Sequence, residues 1–166
     1  MRMGSRVILS VLTVFLFAAP LRPQVKVDTV EVLEWGIYTS EVKDDVEAEG
    51  TVQGTWRLVE KVNVITQTDS IPAKVGKHFG FWFVVKGEPK GEEILITFVN
   101  LLPGLKNPKR DEVLYEEKYT SKVRIGEPSF KGYSFDFDWE AVPGEWAFQI
   151  YYEDKKLAEK TFIVYQ

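Results

Sequence analysis

The chain of 166 residues contains no cysteine and only one histidine, His78. The absence of cysteine excludes disulfide bonds, thiolate catalysis and lipid modification of a cysteine. A single imidazole also excludes a zinc site built from two or three histidines of one chain. We therefore expect no cofactor and no catalytic metal centre, and a fold that is held together by its hydrophobic core.

Long hydrophobic runs are scarce as well. One apolar run approaches membrane length, the 13 residues 7–19, and it follows Arg2 and Arg6. A helix of that length reaches roughly 20 Å, well short of a hydrocarbon core of about 30 Å. A short basic segment followed by a short apolar run is typical of a secretory signal peptide. We predict a signal peptide at 1–24, either cleaved between Ala18 and Gln24 or retained as a tether, and a periplasmic or secreted protein.

Basic side chains are fewer than acidic ones in the part of the chain that follows the predicted signal peptide. Residues 25–166 carry 18 basic and 25 acidic side chains, a net charge of −7. An acidic surface repels phosphate backbones, so we expect no nucleic-acid partner. Once the signal peptide is removed, no apolar run long enough to span a membrane is left. The length suits one domain, which we place at 25–166.

Strand patterns fill most of this domain. Between Tyr133 and Trp139 every second residue is aromatic, which predicts a strand with its rings in the core and its carboxylates in water. A Pro-Gly turn at 142–145 precedes a second alternating segment, 146–152. The apolar runs 79–85 and 94–102 indicate buried central strands. Further strand candidates lie at 27–38, 52–68, 112–123 and 157–165. The sequence thus predicts an antiparallel β-sandwich of seven or eight strands.

Several short motifs resemble a known family. Pro143-Gly-Glu-Trp146, followed by an alternating strand and Phe162-Ile-Val164, resembles the last two strands of bacterial immunoglobulin-like domains. A wider set of motifs comprises Glu34-Trp-Gly-Ile-Tyr38, Ile71-Pro-Ala-Lys-Val-Gly76, Leu102-Pro-Gly-Leu105 and Gly132-Tyr-Ser-Phe135 running into Trp139-Glu140-Ala-Val-Pro-Gly-Glu-Trp146. Over about residues 27–165, this set resembles the bacterial family called domain of unknown function 3859. The resemblance implies an exported immunoglobulin-like sandwich and supplies no activity and no catalytic residues.

Catalytic candidates are few. Asp136, Asp138 and Glu140 would share one strand face with neighbours about 7 Å apart, which suits a glycosidase pair or an ordinary solvated face. His78 would begin a strand, facing solvent or a backbone carbonyl, and no pattern places a serine beside it. An acidic cluster, Asp44, Asp45, Glu47 and Glu49, indicates a solvated loop or a weak divalent-cation site. We therefore predict a non-catalytic protein, with a carboxylate-dependent hydrolase as the alternative.

Binding is the remaining class of function. If the odd-numbered residues of 79–85 face the core, Trp82 faces outward, and Tyr151 does so by the same reasoning. Placed on adjacent strands, these two rings would form a shallow binding platform. Trp35 and Tyr38 flank Gly36, which indicates a bulge or a close backbone approach. The predicted function is an interaction module of the cell envelope that binds a protein or a glycan, either through a sheet face that carries these aromatic residues or through loops.

Overall fold

The computed structural model describes residues 24–47 and 51–166, and this part of the chain contains nine β-strands. Their bounds are β1 Lys26–Glu47, β2 Thr55–Thr66, β3 Ser70–Pro72, β4 His78–Glu88, β5 Glu93–Leu105, β6 Leu114–Arg124, β7 Pro128–Ser134, β8 Gly144–Tyr152 and β9 Lys155–Tyr165. One turn of 3-10 helix at Asp138–Glu140 separates β7 from β8. In the described ranges, no helix has the length and apolar character needed to cross a bilayer. Residues 1–23 of the predicted signal peptide lie outside the description.

The strands form two sheets that pack face to face. The first has the order β2-β1-β4-β7 and the second the order β3-β9-β8-β5-β6. Every pairing is antiparallel except that of β3 with β9. The predicted antiparallel sandwich is confirmed, and the additional strand is the three-residue β3, which is too short to show an alternating pattern.

The core lies where the inner faces of the two sheets meet. Phe79, Phe81 and Phe83 of β4 are at most 1% exposed, as are Trp146 and Phe148 of β8. These rings meet at edge-to-face and tilted angles with centroids between 5.9 and 6.4 Å apart. Both alternation patterns therefore predicted the correct inward-facing residues.

The first strand belongs to two different pairings. β1 pairs with β4 as far as Ile37, and from Ile37 onward it pairs with β2. We call residues 38–47 and 51–66 the hairpin arm. At its base, a Cβ on Gly36 would lie 2.0 Å from the Thr66 carbonyl oxygen, and φ of Gly36 is +138°. The predicted close backbone approach at Gly36 is therefore confirmed, and only glycine fits there.

The segment 133–139 differs from its prediction. β7 ends at Ser134, and Phe137 is 53% exposed and stacked on Trp139 instead of facing the core. The backbone turns because the Glu140 carboxylate accepts hydrogen bonds from the N–H groups of Asp136 and Phe137 at 2.7 and 3.0 Å. Asp136, Asp138 and Glu140 consequently do not share a strand face.

Candidate functional site

A cleft opens between two edge strands, one from each sheet. β6 ends the five-stranded sheet, β7 ends the four-stranded sheet, and the hairpin arm lies across the gap between them. The cavity has a volume of about 260 Å³. Its walls are contributed by residues within 51–59 of the arm, 117–121 of β6 and 130–136. Small-molecule sites in other proteins are concave, partly apolar spaces of this kind.

Lys131 stands at the inner wall of the cleft. It lies on the inward-facing side of β7 and is 7% exposed. Its ammonium sits over the rings of Phe148, Tyr119 and Phe98, with Nζ 5.0, 5.3 and 5.8 Å from the ring centroids. Nζ donates one hydrogen bond, of 3.2 Å, to the carbonyl oxygen of Gly132. Among the described residues, no carboxylate oxygen lies within 4.0 Å of this nitrogen.

Burial governs the protonation of this lysine. Removal from water lowers the pKa of Lys131 from 10.5 to about 8, and the Glu117 carboxylate opposes this shift only in part. At neutral pH the group is still mostly charged. The cleft therefore holds a desolvated ammonium with two hydrogens that the described side chains do not accept.

Glu117 of β6 also lines the cleft, where it is buried and accepts two hydrogen bonds. One carboxylate oxygen accepts a hydrogen bond from the Val52 backbone N–H, and the other accepts one of 2.7 Å from the Asn100 side-chain amide. Asn107 donates to the Val52 carbonyl oxygen at 3.0 Å. These bonds hold the tip of the hairpin arm, where Val52 is completely buried. Glu117 therefore ties the arm to the sandwich, and it forms no ion pair with the Lys131 ammonium within 4.0 Å.

The mouth of the cleft carries a second polar network. Arg57 of the arm forms an ion pair with Asp136 at 2.8 Å and a longer one with Asp45 at 3.4 Å. Gln53 donates to both Glu140 and Asp136. Burial raises the pKa of Glu140 above its usual range, while its hydrogen bonds oppose that shift. At the mouth, Arg57 and Asp136 are thus paired with each other, and the Glu140 carboxylate is held by neutral donors.

Aromatic side chains form the remaining walls. Tyr38 of the arm is 4% exposed, and its ring meets Phe130 edge to face with centroids 4.7 Å apart. Burial raises the pKa of Tyr119 and of Tyr133, so both phenols are neutral at ordinary pH. The walls combine apolar rings with a few polar tips, an arrangement suited to a partly apolar ligand.

The predicted platform of Trp82 and Tyr151 is wrong as one surface. Trp82 lies on the outer face of the four-stranded sheet, where its ring centroid is 5.2 Å from that of Phe130. Tyr151 lies on the outer face of the five-stranded sheet and donates a hydrogen bond of 3.0 Å to Gln149. Their strands, β4 and β8, belong to different sheets, so the two rings are on opposite sides of the sandwich.

Trp35 and Tyr38 also separate. Trp35 pairs in register with Phe81 and faces the core side, where the Lys160 ammonium lies 4.1 Å from its ring centroid. Tyr38 is three residues further along the strand and faces the opposite way, so it lines the cleft. Of the four residues predicted for binding, the structure brings only Tyr38 to the cleft.

His78 has a serine beside it, contrary to the sequence prediction. Its Nδ1 is 2.6 Å from the Ser134 hydroxyl oxygen, because His78 and Ser134 are register partners in β4 and β7. Burial lowers the pKa of His78. A catalytic triad needs the serine on one ring nitrogen and a carboxylate on the other. Asp136 instead pairs with Arg57, and no carboxylate within the described ranges accepts a hydrogen bond from His78.

The predicted acidic cluster is also placed differently. Asp44, Asp45 and Glu47 belong to β1 rather than to a loop, and all three are exposed. Glu49 lies outside the described residues. In the ranges 24–47 and 51–166, no group of three acidic or histidine side chains is arranged to hold a metal ion.

Lys131 and Glu117 were missed by the sequence prediction, although a signal was present. The alternation that placed Tyr133 and Phe135 inward, continued two residues toward the N-terminus, places Lys131 inward as well. In the same way, Tyr119 and Val123 share the inward-facing side of β6 with Glu117. A charged residue at an inward-facing position of a strand was therefore the detectable feature.

Comparison with known proteins agrees with this fold. A family model described as domain of unknown function (DUF3859) matches residues 26–164. The crystal structure of an immunoglobulin-like protein from Pseudomonas aeruginosa superposes with a TM-score of 0.60 and 24% sequence identity. The match covers 87% of this chain and 99% of that one. No curated protein matches the chain.

Proposed function

Because the chain belongs to the family described as domain of unknown function (DUF3859), we propose that it is an exported, non-catalytic interaction module with an immunoglobulin-like fold, and that it binds its partner in the cleft between β6 and β7. The partner class that we favour is a protein or a glycan of the cell envelope. Cleft binding replaces the outward-facing aromatic platform that the sequence predicted.

The observation that carries this proposal is the unneutralised ammonium of Lys131 in the cavity. Burying a charge without an ionic partner costs free energy. Such groups cluster at functional sites, where a ligand supplies the missing partner. Two of the ammonium hydrogens are unused by the described side chains, and the cavity lies beside them. The geometry therefore supports binding at this point of the molecule.

The arrangement of carboxylates favours binding over hydrolysis. Asp136 is neutralised by Arg57, and the Glu140 oxygens accept hydrogen bonds from backbone N–H groups and from Gln53. General acid-base catalysis needs a carboxyl group that is free to exchange a proton with substrate. Both groups instead hold the mouth of the cleft in shape, which supports a non-catalytic role.

Photo-cross-linking tests the proposal in the cells that make the protein. A diazirine-bearing amino acid at Thr55, which is exposed at the mouth of the cleft, should give an adduct when irradiated. The same amino acid at Thr120, on the outer face of β6, serves as the matched control and should give none. Mass spectrometry of the adduct identifies a protein or glycan partner.

A blocking variant completes this experiment. Ser121→Phe places a ring in the cleft from β6 and should abolish the adduct at Thr55. Equal adducts at Thr55 and Thr120, or an adduct that survives Ser121→Phe, would place the interaction outside the cleft and contradict the proposal.

Export is tested by the N-terminus of the protein that accumulates. We expect a mature chain that begins between Ala19 and Val25 and fractionates outside the cytoplasm, since the apolar run 7–19 is too short for a stable anchor. Mass spectrometry of the purified protein reads the terminus directly. A chain that begins at Met1 and remains in the cytoplasm would remove the localisation from the proposal.

A further inference from the structure

We propose that the cleft between β6 and β7 is a carboxylate-binding site in which the Lys131 ammonium receives the carboxylate group of the ligand. This inference rests on the proposed function and specifies the ligand chemistry of that same cleft. The carboxylate would belong to a small organic acid or to the C-terminus of a peptide chain.

The hydrogen-bonding capacity of Lys131 supports this ligand. An ammonium has three donors, and the only acceptor that it meets in the described structure is the Gly132 carbonyl oxygen, at 3.2 Å. The three surrounding rings stabilise positive charge but accept no conventional hydrogen bond. A carboxylate can accept the remaining N–H groups and neutralise the charge in one contact, through charge-assisted hydrogen bonds.

The other charges that line the cleft argue against alternative ligands. A cationic ligand would be repelled by the Lys131 ammonium, which lies at the inner wall of the cavity. A phosphate monoester bears about two negative charges, and one ammonium neutralises only one of them. Arg57 is already paired with Asp136 and Asp45, which leaves Lys131 as the available cation among the described lining residues. A single negative charge therefore matches the site.

The size and apolarity of the cleft set the rest of the ligand. A volume of about 260 Å³ equals the space of roughly eight or nine water molecules. Phe98, Tyr119 and Phe130 offer ring surfaces beside the ammonium. A carboxylate attached to a small apolar or aromatic group would fill this space, whereas acetate alone would leave most of it to water.

Binding of benzoate to the mature wild-type protein is the direct test. The protein is produced with ¹³C-labelled lysine, and the Lys131 side-chain signal is identified by its absence from Lys131→Met. Benzoate should shift this signal and raise the pKa of Lys131. Lys131→Met should weaken benzoate binding at least about tenfold, the effect of losing one charged hydrogen bond. Lys118→Met, which removes an exposed lysine of the neighbouring strand, is the matched control and should leave binding unchanged.

The pH dependence provides a test that needs no substitution. Binding should weaken as the pH rises above about 8, where Lys131 loses its proton. The other titratable groups that face the cavity are Tyr38, Arg57, Glu117, Tyr119, Tyr133 and Asp136. Burial raises the pKa values of Tyr38, Tyr119 and Tyr133, and the hydrogen bond to Asp136 raises the pKa of Arg57, so these groups keep their protons through this range.

Two peptides distinguish the sources of the carboxylate. A tripeptide with a free C-terminus that binds more tightly than benzoate, while its amidated form does not bind, indicates a chain terminus. Benzoate binding that matches or exceeds that of the tripeptide indicates a free organic acid. Either result supports the carboxylate site.

The inference and the proposed function can fail separately. If no carboxylate probe shifts the Lys131 signal, or if benzoate binds Lys131→Met and wild type equally, the carboxylate inference is overturned. If the Thr55 adduct forms and Ser121→Phe abolishes it, the proposed cleft function still stands in that case. If no Thr55 adduct forms, the proposed function is overturned as well.

Discussion

Trp146→Ala should lower the free energy of unfolding by about 3–5 kcal/mol, the usual loss for a large ring removed from a core. Trp146 is 0% exposed, and its ring centroid lies 4.9 Å from that of Tyr133 and 5.4 Å from that of Phe135. The indole N–H also donates to the Val142 carbonyl oxygen at 3.1 Å. Urea unfolding followed by circular dichroism measures the change.

The matched control for this loss is an exposed ring. Tyr115 is 65% exposed, so Tyr115→Ala should change the free energy of unfolding by less than about 0.5 kcal/mol, as surface substitutions usually do. A loss below about 1 kcal/mol for Trp146→Ala would show that the sheets do not pack around this ring, and would contradict the described core.

The inward-facing residues of β4 and β8 could be predicted because local alternation is enough to define them. Phe79, Phe81 and Phe83 repeat at a period of two, and so do Trp146 and Phe148. In a sandwich that buries one face of each sheet, this period alone determines which side chains are inside. The fold class and most strand positions follow from such patterns.

The segment after β7 could not be predicted in the same way, because side-chain hydrogen bonds rather than apolar alternation determine its course. The rings at 133–139 alternate correctly for a strand, but the Glu140 carboxylate binds the backbone N–H groups of Asp136 and Phe137 and turns the chain. Arg57, which is far away in sequence, then pairs with Asp136. The alternation of apolar and polar residues contains no information about either contact.

The candidate site could be predicted from the sequence only in part, because strands that are distant along the chain build it. The alternation correctly predicted that Trp82 and Tyr151 face outward, but it does not say which sheet a strand joins. The cleft arises from the meeting of two edge strands with the hairpin arm, and strand order is a global property. Tyr38 was singled out beside Gly36, whereas the alternation identifies Lys131 only as an inward-facing charge and does not show that its strand borders a cleft.

Lys131 also has a consequence for stability that is independent of any ligand. Inward-pointing charges on edge strands discourage further strands from pairing there. Both this role and ligand binding require the Lys131 charge to remain buried. Burial of the charge lowers the stability of the folded protein. Natural proteins retain such destabilising groups where function requires them. The size of the cost can be measured by removing the charge while keeping the shape of the side chain.

Lys131→Met should stabilise the protein at pH 7 by about 3 kcal/mol, the free energy that corresponds to a pKa of about 8 instead of 10.5. Methionine retains an unbranched apolar chain against Phe98, Tyr119 and Phe148 and leaves no ammonium to desolvate. The gain should be present below pH 8 and should disappear as the pH rises to about 10.5. Between these values the unfolded chain holds the lysine proton that the folded chain has released, so wild-type stability rises relative to the variant.

Urea unfolding of both proteins at pH 7 and at pH 10 measures this difference, and the tyrosines that titrate at high pH cancel because both proteins contain them. Lys118→Met is again the matched control, since the exposed Lys118 should give no gain at either pH. A Lys131→Met variant less stable than wild type at pH 7 would show that the ammonium is stabilised within the folded chain. A pH-independent gain would show instead that improved packing, rather than removal of a buried charge, is responsible, and that the lysine is not desolvated in the folded protein.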